Sequence, residues 1–338
     1  MKIEDFDYPF DPSLIARYPL PKRDQSRLLV LERGGGRIEH RRFFETGDYL
    51  DRGDVLVLNN TKVTPCRIAG KKAGTGGHVE LLLIRRQEGD IWEAMAGGRL
   101  RAGTKILFLP SCCGEVTGHQ NGHVVVKFSY EGEWERVLSK IGQMPIPPYI
   151  RRDPVEEDRE WYQTVYAAKE GAIAAPTAGL HFTEEMLDVL RAKGVSVVCI
   201  TLHAGIGTFK PVKVEWIEGH RMGSEWFEVG GEAVEQIQKA KAGGGRVVAV
   251  GTTSVRALEQ AAAGGEFKRA RGETGLFIYP GFQFQVTDAV ITNFHLPKST
   301  LLMLVMAFAG RENILKAYEE AVKLRYRFYS YGDAMLII

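Results

Sequence analysis

Val247-Val-Ala-Val250 runs without a break into Gly251-Thr-Thr-Ser254 and then Val255-Arg256-Ala-Leu-Glu259. Four small or β-branched apolar residues read as a buried strand, a glycine turns the chain, and the hydroxyl residues that follow can open a helix. The same alternation stands on the N-terminal side. Thr183 precedes Glu184-Glu185, acids where the helix dipole favours them, and that helix ends at Gly194 before the buried strand Val195–Thr201. A helix over Glu232–Ala242, closed by Gly243-Gly244-Gly245, leads back to Val247. Strands alternating with helices of this length specify an α/β fold with an at least partly parallel sheet. Further on, Leu301–Phe308 reads as a core helix segment and about Glu312–Tyr326 as the last helix.

Upstream the texture differs. Asp54–Leu58 is an apolar strand, and residues 63–130 then read as short strands with turns. His78–Ile84 and Ile91–Ala96 flank Glu88-Gly89-Asp90, and Lys105–Leu109 follows. Glu115–Gly118 and His123–Phe128 flank Asn121-Gly122, a strong hairpin signal. Such a run suggests a small barrel or sandwich. Residues 133–142 look helical, and Met144-Pro-Ile-Pro-Pro148 is a stiff extended linker, because each proline disfavours helix at the residue before it. Ala172–Ala175 is a short strand. The simplest architecture is a main α/β domain, barrel-like or layered, formed by both chain ends (residues 1–62 and 146–338). A small antiparallel β-barrel domain (residues 63–145) is inserted into it.

The 338 residues are 44% apolar and 25% charged, a soluble globular balance that excludes wholesale disorder, collagen and coiled coil. The longest apolar stretch, Leu301–Ala309, falls far short of the roughly 18 residues of a membrane span. Residues 1–13 carry acids and no apolar core, unlike a secretory signal. Cys112 and Cys113 are adjacent, while Cys66 and Cys199 stand alone. No C-x-x-C spacing exists and no H-x-x-x-H falls on a helix, so no metal site is expected and reduced thiols suit a cytoplasmic protein. The net charge of +2 does not announce nucleic acid. Basic pairs (Arg41-Arg42, Lys71-Lys72, Arg85-Arg86, Arg151-Arg152) can form a phosphate-binding face or plain solvated surface. No periodic seam for self-association is visible, so a monomer is the default.

Five segments are polar, rich in Gly or Pro, and next to strands: 175–182, 202–209, 251–256, 292–300 and 330–334. In α/β sheets ligands bind outside the carboxyl ends of the strands, so five such loops on one edge would make one site. Gly251-Thr-Thr-Ser254 can present backbone N–H groups to an anion, with Arg256 as a bidentate clamp; an ordinary capped turn is the bland alternative. His203-Ala-Gly-Ile-Gly-Thr-Phe209 lacks the third glycine of a dinucleotide fingerprint, yet Gly205 and Gly207 allow close backbone approach. His181, His203, His220 and His295 fall in or beside these loops, where each can act as acid, base or hydrogen-bonding group. Asp333 and Glu225 are acids in polar loops, able to face a cation or take a proton.

APTAGLHF (175–182), TLHAGIGTF (201–209), GTTSVRALE (251–259), IYPGF (278–282), TNFHLPKSTLLMLV (292–305) and YSYGDAMLI (329–337) resemble the signature segments of the S-adenosylmethionine:tRNA ribosyltransferase-isomerases of queuosine biosynthesis. The resemblance continues through FDYPFDPSLIARYP (6–19), SRLLVL (26–31), VLVLNNTKVTPCRI (55–68) and MPIPPYI (144–150), so it covers nearly the whole chain in order. It implies an enzyme that moves the ribosyl part of S-adenosylmethionine onto 7-aminomethyl-7-deazaguanine at the wobble position of tRNA. The ribose rearranges to give epoxyqueuosine, and adenine and methionine leave. S-adenosylmethionine is then a co-substrate, with no prosthetic group expected. The implied fold is a two-domain α/β protein with an inserted β-barrel.

That chemistry needs a base near the 5′ carbon, help for the departing adenine, an anchor for the methionine carboxylate, and aromatic or acidic neighbours for the sulfonium. His181, His203, His295 and Asp333 are the catalytic candidates by motif position. Thr177, Gly205, Gly207, Thr252, Arg256 and Asn293 are the candidates for holding S-adenosylmethionine, with Phe182, Phe209 and Tyr331 near the sulfonium. Arg17, Arg23, Arg27, Lys62, Arg151 and Arg152 are the candidates for tRNA phosphates. Two departures stand out. His220-Arg-Met-Gly223-Ser-Glu225 has glycine where the family commonly has a second histidine, and Asn60 in Asn59-Asn60-Thr61-Lys62 replaces a frequent aspartate. A non-catalytic tRNA-binding protein and an α/β enzyme acting on a free nucleotide are the competing readings.

Overall fold

The structure, a computed structural model, describes residues 1–205, 207 and 212–338. Phe209 therefore lies outside the described residues. The chain forms two compact units. One comprises Met1–Lys62, Pro148–Arg152 and Trp161–Ile338; the other comprises Val63–Pro147 and Asp153–Glu160.

The larger unit is layered and its sheet open. Among the described residues the sheet has nine strands, in the order Ala270–Thr274, Glu225–Val229, Ser196–Leu202, Val55–Asn59, Val247–Val250, Ala289–Asn293, Ala334–Ile337, Arg27–Leu31 and Ile38–Arg42. The four strands from Ser196–Leu202 to Ala289–Asn293 are mutually parallel. Ala334–Ile337 runs antiparallel to Ala289–Asn293 and parallel to Arg27–Leu31. Parallel strands are covered on both faces, which is why Val55–Asn59 and Val247–Val250 are buried at every position.

Strand alternation sorts the core into two layers. Val55, Val57, Val247, Ala249, Val290 and Met335 join a cluster with the helices Gly231–Ala242, Thr252–Ala261, Thr300–Ala309 and Arg311–Lys323. Leu56, Leu58, Val248, Val250, Ile291 and Leu336 join the other cluster, with Leu187 and Leu190 of the helix Glu184–Lys193. The expected helix stops are present. Thr183 accepts the Met186 N–H at 3.2 Å, and Gly194 closes that helix with φ 93°. Thr300–Ala309 is the expected core helix, capped by Ser299, which accepts the Leu302 N–H at 3.2 Å.

Three expectations shift. The last helix ends at Lys323 rather than near Tyr326, because Arg325 turns out of the helix with φ 53°. The strand expected over 172–175 lies at Lys169–Ala172, and Ala174 makes a separate bridge to Ala204. Residues 153–160, expected with the α/β domain, belong to the smaller unit, where Arg159 Nη2 donates to the Gly142 carbonyl at 2.8 Å.

The smaller unit is an antiparallel barrel. Its strands run Arg67–Lys72, His78–Arg86, Ile91–Ala96, His123–Tyr130, Cys112–Gln120 and Lys105–Leu109, and pairing of Lys71 with Leu107 and Lys72 with Ile106 closes it. The predicted hairpin is present at Asn121 (φ 52°) and Gly122 (φ 81°), the two positive φ values a two-residue type I′ turn demands.

Candidate active site

Asn59, Leu202, Val250 and Asn293 end the four parallel strands on one edge of the sheet. Asn293 pairs with Ala334, so the start of the antiparallel strand, with Asp333 before it, reaches that same edge. A cavity of about 580 Å³, measured to its open mouth, is lined from all five of the Gly- and Pro-rich segments. They contribute Ala175–Ala178, Ala204, Gly251–Thr253, Thr292–His295 and Ser330, with Tyr149, Tyr162 and Tyr329 completing the wall.

Among the described residues, none that lines the cavity is Asp, Glu, Lys or Arg. The wall these residues make is largely apolar, from alanine, leucine and aromatic side chains, with amide, hydroxyl and imidazole groups and one helix N-terminus set into it. Gly251 adopts φ 86°, a conformation that disfavours any side chain, and delivers Thr252 and Thr253 to the cavity. The first N–H groups of a helix have no acceptor within it, so this end is suited to an anion. Asn59 holds the neighbouring strand ends together: its Nδ2 donates to the Leu202 carbonyl at 2.9 Å and to Thr253 Oγ1 at 3.1 Å, while its Oδ1 accepts the Leu202 N–H at 3.0 Å.

Two candidate histidines are locked in place. Thr177 Oγ1 donates to Asn293 Oδ1 at 2.9 Å, and Asn293 Nδ2 donates to His181 Nε2 at 3.1 Å. His181 Nδ1 therefore carries the proton and bonds Ser26 Oγ at 2.8 Å. Burial pushes the His181 pKa down to about 4, against the opposing pull of the Asp333 charge. His295 lines the cavity directly, with Nε2 2.9 Å from Thr292 Oγ1. Its carbonyl accepts the Tyr8 hydroxyl at 2.6 Å, and its N–H donates to Tyr318 at 3.0 Å. Burial pushes its pKa down to about 3. Both imidazoles are neutral at pH 7 and act through hydrogen bonds.

His203 differs. It is half-buried, its Nδ1 lies 2.7 Å from Thr61 Oγ1, and its ring stacks on Trp226 with centroids 5.1 Å apart. Gly171 packs closely on the ring, where a Cβ would come within 2.9 Å of Nε2. Burial, then the Lys169 charge, lowers its pKa. Its Nε2 has no hydrogen-bond partner among the described residues, and it flanks the lining residue Ala204 without lining the cavity itself.

The structure gives several other candidates different surroundings. Arg256 does not line the cavity. Its Nη1 pairs with Glu225 in a buried ion pair, its Nε donates to the Leu276 carbonyl at 3.0 Å, and Glu225 Oε1 accepts the Gly205 N–H at 3.0 Å. Asp333 is saturated by Arg27 and by the Arg327 N–H. Arg27 is thereby committed, and its guanidinium also covers the Tyr326 ring at 4.0 Å. Phe182 is buried against Phe43, and Tyr331 is 3% exposed; neither lines the cavity. Lys62 pairs with Glu170 at 3.0 Å, and Arg23 donates to the Gln163 carbonyl at 3.1 Å. Arg17 and Arg151 are exposed, and Arg152 donates to the Arg17 carbonyl at 2.9 Å. Gly207 is exposed, and a Cβ at Gly205, Gly207 or Gly223 would meet nothing within 4 Å. The glycine at 223 is thus no packing necessity. Asn60 Oδ1 accepts the Thr201 hydroxyl at 2.7 Å, a bond an aspartate could make equally. His220 lies against Phe277, away from the cavity lining.

Sequence reasoning missed Tyr149, Tyr162 and Tyr329 as lining residues. Tyr149 stands inside the quoted MPIPPYI segment, and Tyr329 opens YSYGDAMLI, so motif position could have pointed to these two. Tyr162 carries no such signal. Among the described residues no cluster of His, Cys, Asp and Glu could hold a metal ion, and no helix is long and apolar enough to cross a membrane.

A family model described as queuosine biosynthesis protein matches residues 3–337. The chain is 52% identical to the S-adenosylmethionine:tRNA ribosyltransferase-isomerase of Carboxydothermus hydrogenoformans, and 52% identical to that of Moorella thermoacetica, with both partners covered in full in each case. It is also similar to the crystal structure of S-adenosylmethionine tRNA ribosyltransferase from Thermotoga maritima. The TM-score is 0.58 at 39% identity, covering 99% of this chain and 100% of that one.

Two predictions follow from the buried groups. An unfolded histidine takes its proton near pH 6.5, whereas folded His181 and His295 resist it down to about 4 and about 3. Their contribution is fully present above the unfolded value and is lost as pH falls through that interval, by about 1.4 kcal/mol per pH unit for each proton. In urea titrations between pH 6.5 and 4, His181→Gln should show a shallower pH slope than the parent; parallel slopes would contradict a neutral buried His181. Arg256→Ala leaves the Glu225 carboxylate buried without its cation, which costs about 3–5 kcal/mol. The melting temperature should fall accordingly, and an unchanged melt would show that the pair is not buried in solution.

Proposed function

This chain belongs to the queuosine biosynthesis protein family, and from that premise we propose that it transfers and isomerises the ribosyl moiety of S-adenosylmethionine onto a base in tRNA. The acceptor is the aminomethyl group of 7-aminomethyl-7-deazaguanine at the wobble position, the product is epoxyqueuosine-tRNA, and adenine and methionine are released. The observation that carries this reading is the cavity itself. All five Gly- and Pro-rich segments meet in one concave cleft at the carboxyl ends of the parallel strands, the place where α/β sheets bind their ligands.

The lining suits the parts of S-adenosylmethionine. The N-terminus of the helix Thr252–Ala261, with the Thr252 and Thr253 hydroxyls, takes the methionine carboxylate. Arg256 has no part in that contact set and acts as the buried partner of Glu225. Tyr149, Tyr162 and Tyr329 offer ring faces and edges to the sulfonium and to the purine. Asn293, oriented by Thr177 beside it and by the buried His181, hydrogen-bonds the ribose or the leaving adenine. Neutral His295 serves the same binding role from the opposite end of its segment.

The proton next to the sulfonium needs a base able to titrate near neutral pH. Asp333 is saturated, and His181 and His295 are driven far below that range. His203, with its open Nε2 and half-exposed ring, is the remaining candidate, and we assign it the proton abstraction. The tRNA backbone meets the exposed Arg17 and Arg151 and the half-buried Arg152.

The deciding assay combines the protein, S-adenosylmethionine and tRNA carrying the deazaguanine precursor. Adenine release with a ribosyl-derived mass gain on the tRNA is expected; methyl transfer, or no product from folded protein, would reject the reading. His203→Gln should lower kcat about 10²–10⁴-fold, with the melting temperature held and the acid limb of the pH–rate profile lost. A variant that keeps its acid limb would remove His203 as the base.

A further inference from the structure

A second concavity, of about 700 Å³, lies between Ser13–Pro19 and Arg325–Arg327. Its wall carries three guanidinium groups and no carboxylate. Arg17 is exposed and has no acidic partner among the described residues. The Arg325 side chain is 70% exposed, and Asp11 approaches it only to 3.9 Å. Arg327 donates through Nη2 to the Tyr18 carbonyl, while its Nη1 is buried and has no hydrogen-bond partner among the described residues. The exposed guanidinium groups of Arg17 and Arg325 are free to meet an acceptor, and a phosphate oxygen is the acceptor arginine pairs with best.

An aromatic platform adjoins these cations. Tyr18 is 49% exposed, unusual for a ring that could bury itself. The Arg152 guanidinium covers its face at 4.4 Å, and Trp161 meets it edge-on at 6.2 Å. Cations interleaved with exposed aromatic rings are what single-stranded RNA requires: phosphates are paired while an unstacked base finds a ring. The same pieces of chain also reach the cavity. Arg327 stands just before Tyr329 and Ser330, Arg152 just after Tyr149, and Trp161 directly before Tyr162, all of which line it.

We propose that the groove formed by Arg17, Tyr18, Arg325 and Arg327 binds the tRNA backbone beside the nucleotide that enters the cavity, with Tyr18 stacking on a flanking base. This inference rests on the proposed tRNA-modifying function and adds Tyr18, Arg325 and Arg327 to the tRNA contacts. The groove is sequence-tolerant by its chemistry, since guanidinium groups and a ring face read phosphate and stacking rather than base edges.

The test measures tRNA affinity over a range of salt, and S-adenosylmethionine affinity separately, for the full chain and for the double variant Arg17→Gln/Arg325→Gln. Both side chains are exposed, so folding should survive, and a matched thermal melt verifies it. Loss of two phosphate contacts should weaken tRNA binding by about tenfold or more at moderate salt and flatten the log–log salt slope by roughly 1.5. S-adenosylmethionine affinity should not change. Tyr18→Ala should weaken tRNA binding while leaving the salt slope intact, since stacking releases no counterions. Unaltered tRNA affinity and slope in the double variant, with the parent binding and modifying tRNA, would overturn the groove alone. A parent protein that does not bind tRNA would overturn the groove and the proposed function together.

Discussion

The buried carboxylate of Asp333 is the interaction on which both sites depend. It is 1% exposed and fully engaged: Oδ1 accepts the Arg27 N–H at 2.8 Å, and Oδ2 accepts Arg27 Nε at 3.1 Å and the Arg327 N–H at 2.8 Å. Its own N–H returns to the Arg327 carbonyl at 2.7 Å. A buried charge of this kind is tolerable only when paired and hydrogen-bonded, and here every partner comes from the first or the last strand region of the chain. The carboxylate therefore fastens Arg27–Leu31 to the turn that leads into Ala334–Ile337. That turn is tight. Tyr329 takes φ 70°, and Gly332 approaches the Arg327 carbonyl so closely that a Cβ would sit 2.5 Å from it. The tension is held where it is useful, because Tyr329 and Ser330 line the cavity while Arg325 and Arg327 line the groove.

Charge is managed differently in the cavity wall. A sulfonium substrate brings its own positive charge, and an imidazolium beside it would repel it. Burial settles this by making protonation costly at His181 and His295, whose rings serve as oriented hydrogen-bonding groups. The formal charges nearby are kept off the wall. Arg256 and Glu225 neutralise each other behind it, and through Glu225 Oε1 the pair holds the Gly205 N–H. A lining without formal charge among the described residues, with one helix N-terminus for the carboxylate, is a coherent receptor for a zwitterionic amino acid joined through a sulfonium to an uncharged nucleoside.

Much of this was legible along the chain. The strand and helix of Val247–Glu259 follow from apolar run, glycine and hydroxyl cap, and the structure places a strand at Val247–Val250 and a helix at Thr252–Ala261. The Asn121-Gly122 hairpin follows from the two positive φ angles those residues tolerate. The convergence of three of the polar segments, 202–209, 251–256 and 292–300, follows from parallel strands, whose carboxyl ends lie on one edge; the antiparallel strand Ala334–Ile337 begins at that edge and brings 330–334 to it. The misplaced ends have local causes: Arg325 leaves the last helix through an αL turn, and residues 153–160 fold back onto the barrel unit through Arg159.

Side-chain roles were the part that sequence could not carry. Asp333, Arg27 and Arg256 look like catalytic or binding groups because they are charged residues within or beside conspicuous motifs, yet each is spent on a buried partner far away in sequence. Tyr162, with no motif to mark it, lines the cavity. What the sequence by itself determined is periodicity, turn chemistry and family, all of which depend on residues within a few positions of one another or on their order. What only the tertiary structure decided is which polar group is satisfied and which is left open. That choice depends on desolvation and on partners brought together across hundreds of residues, so it exists only once the chain has closed.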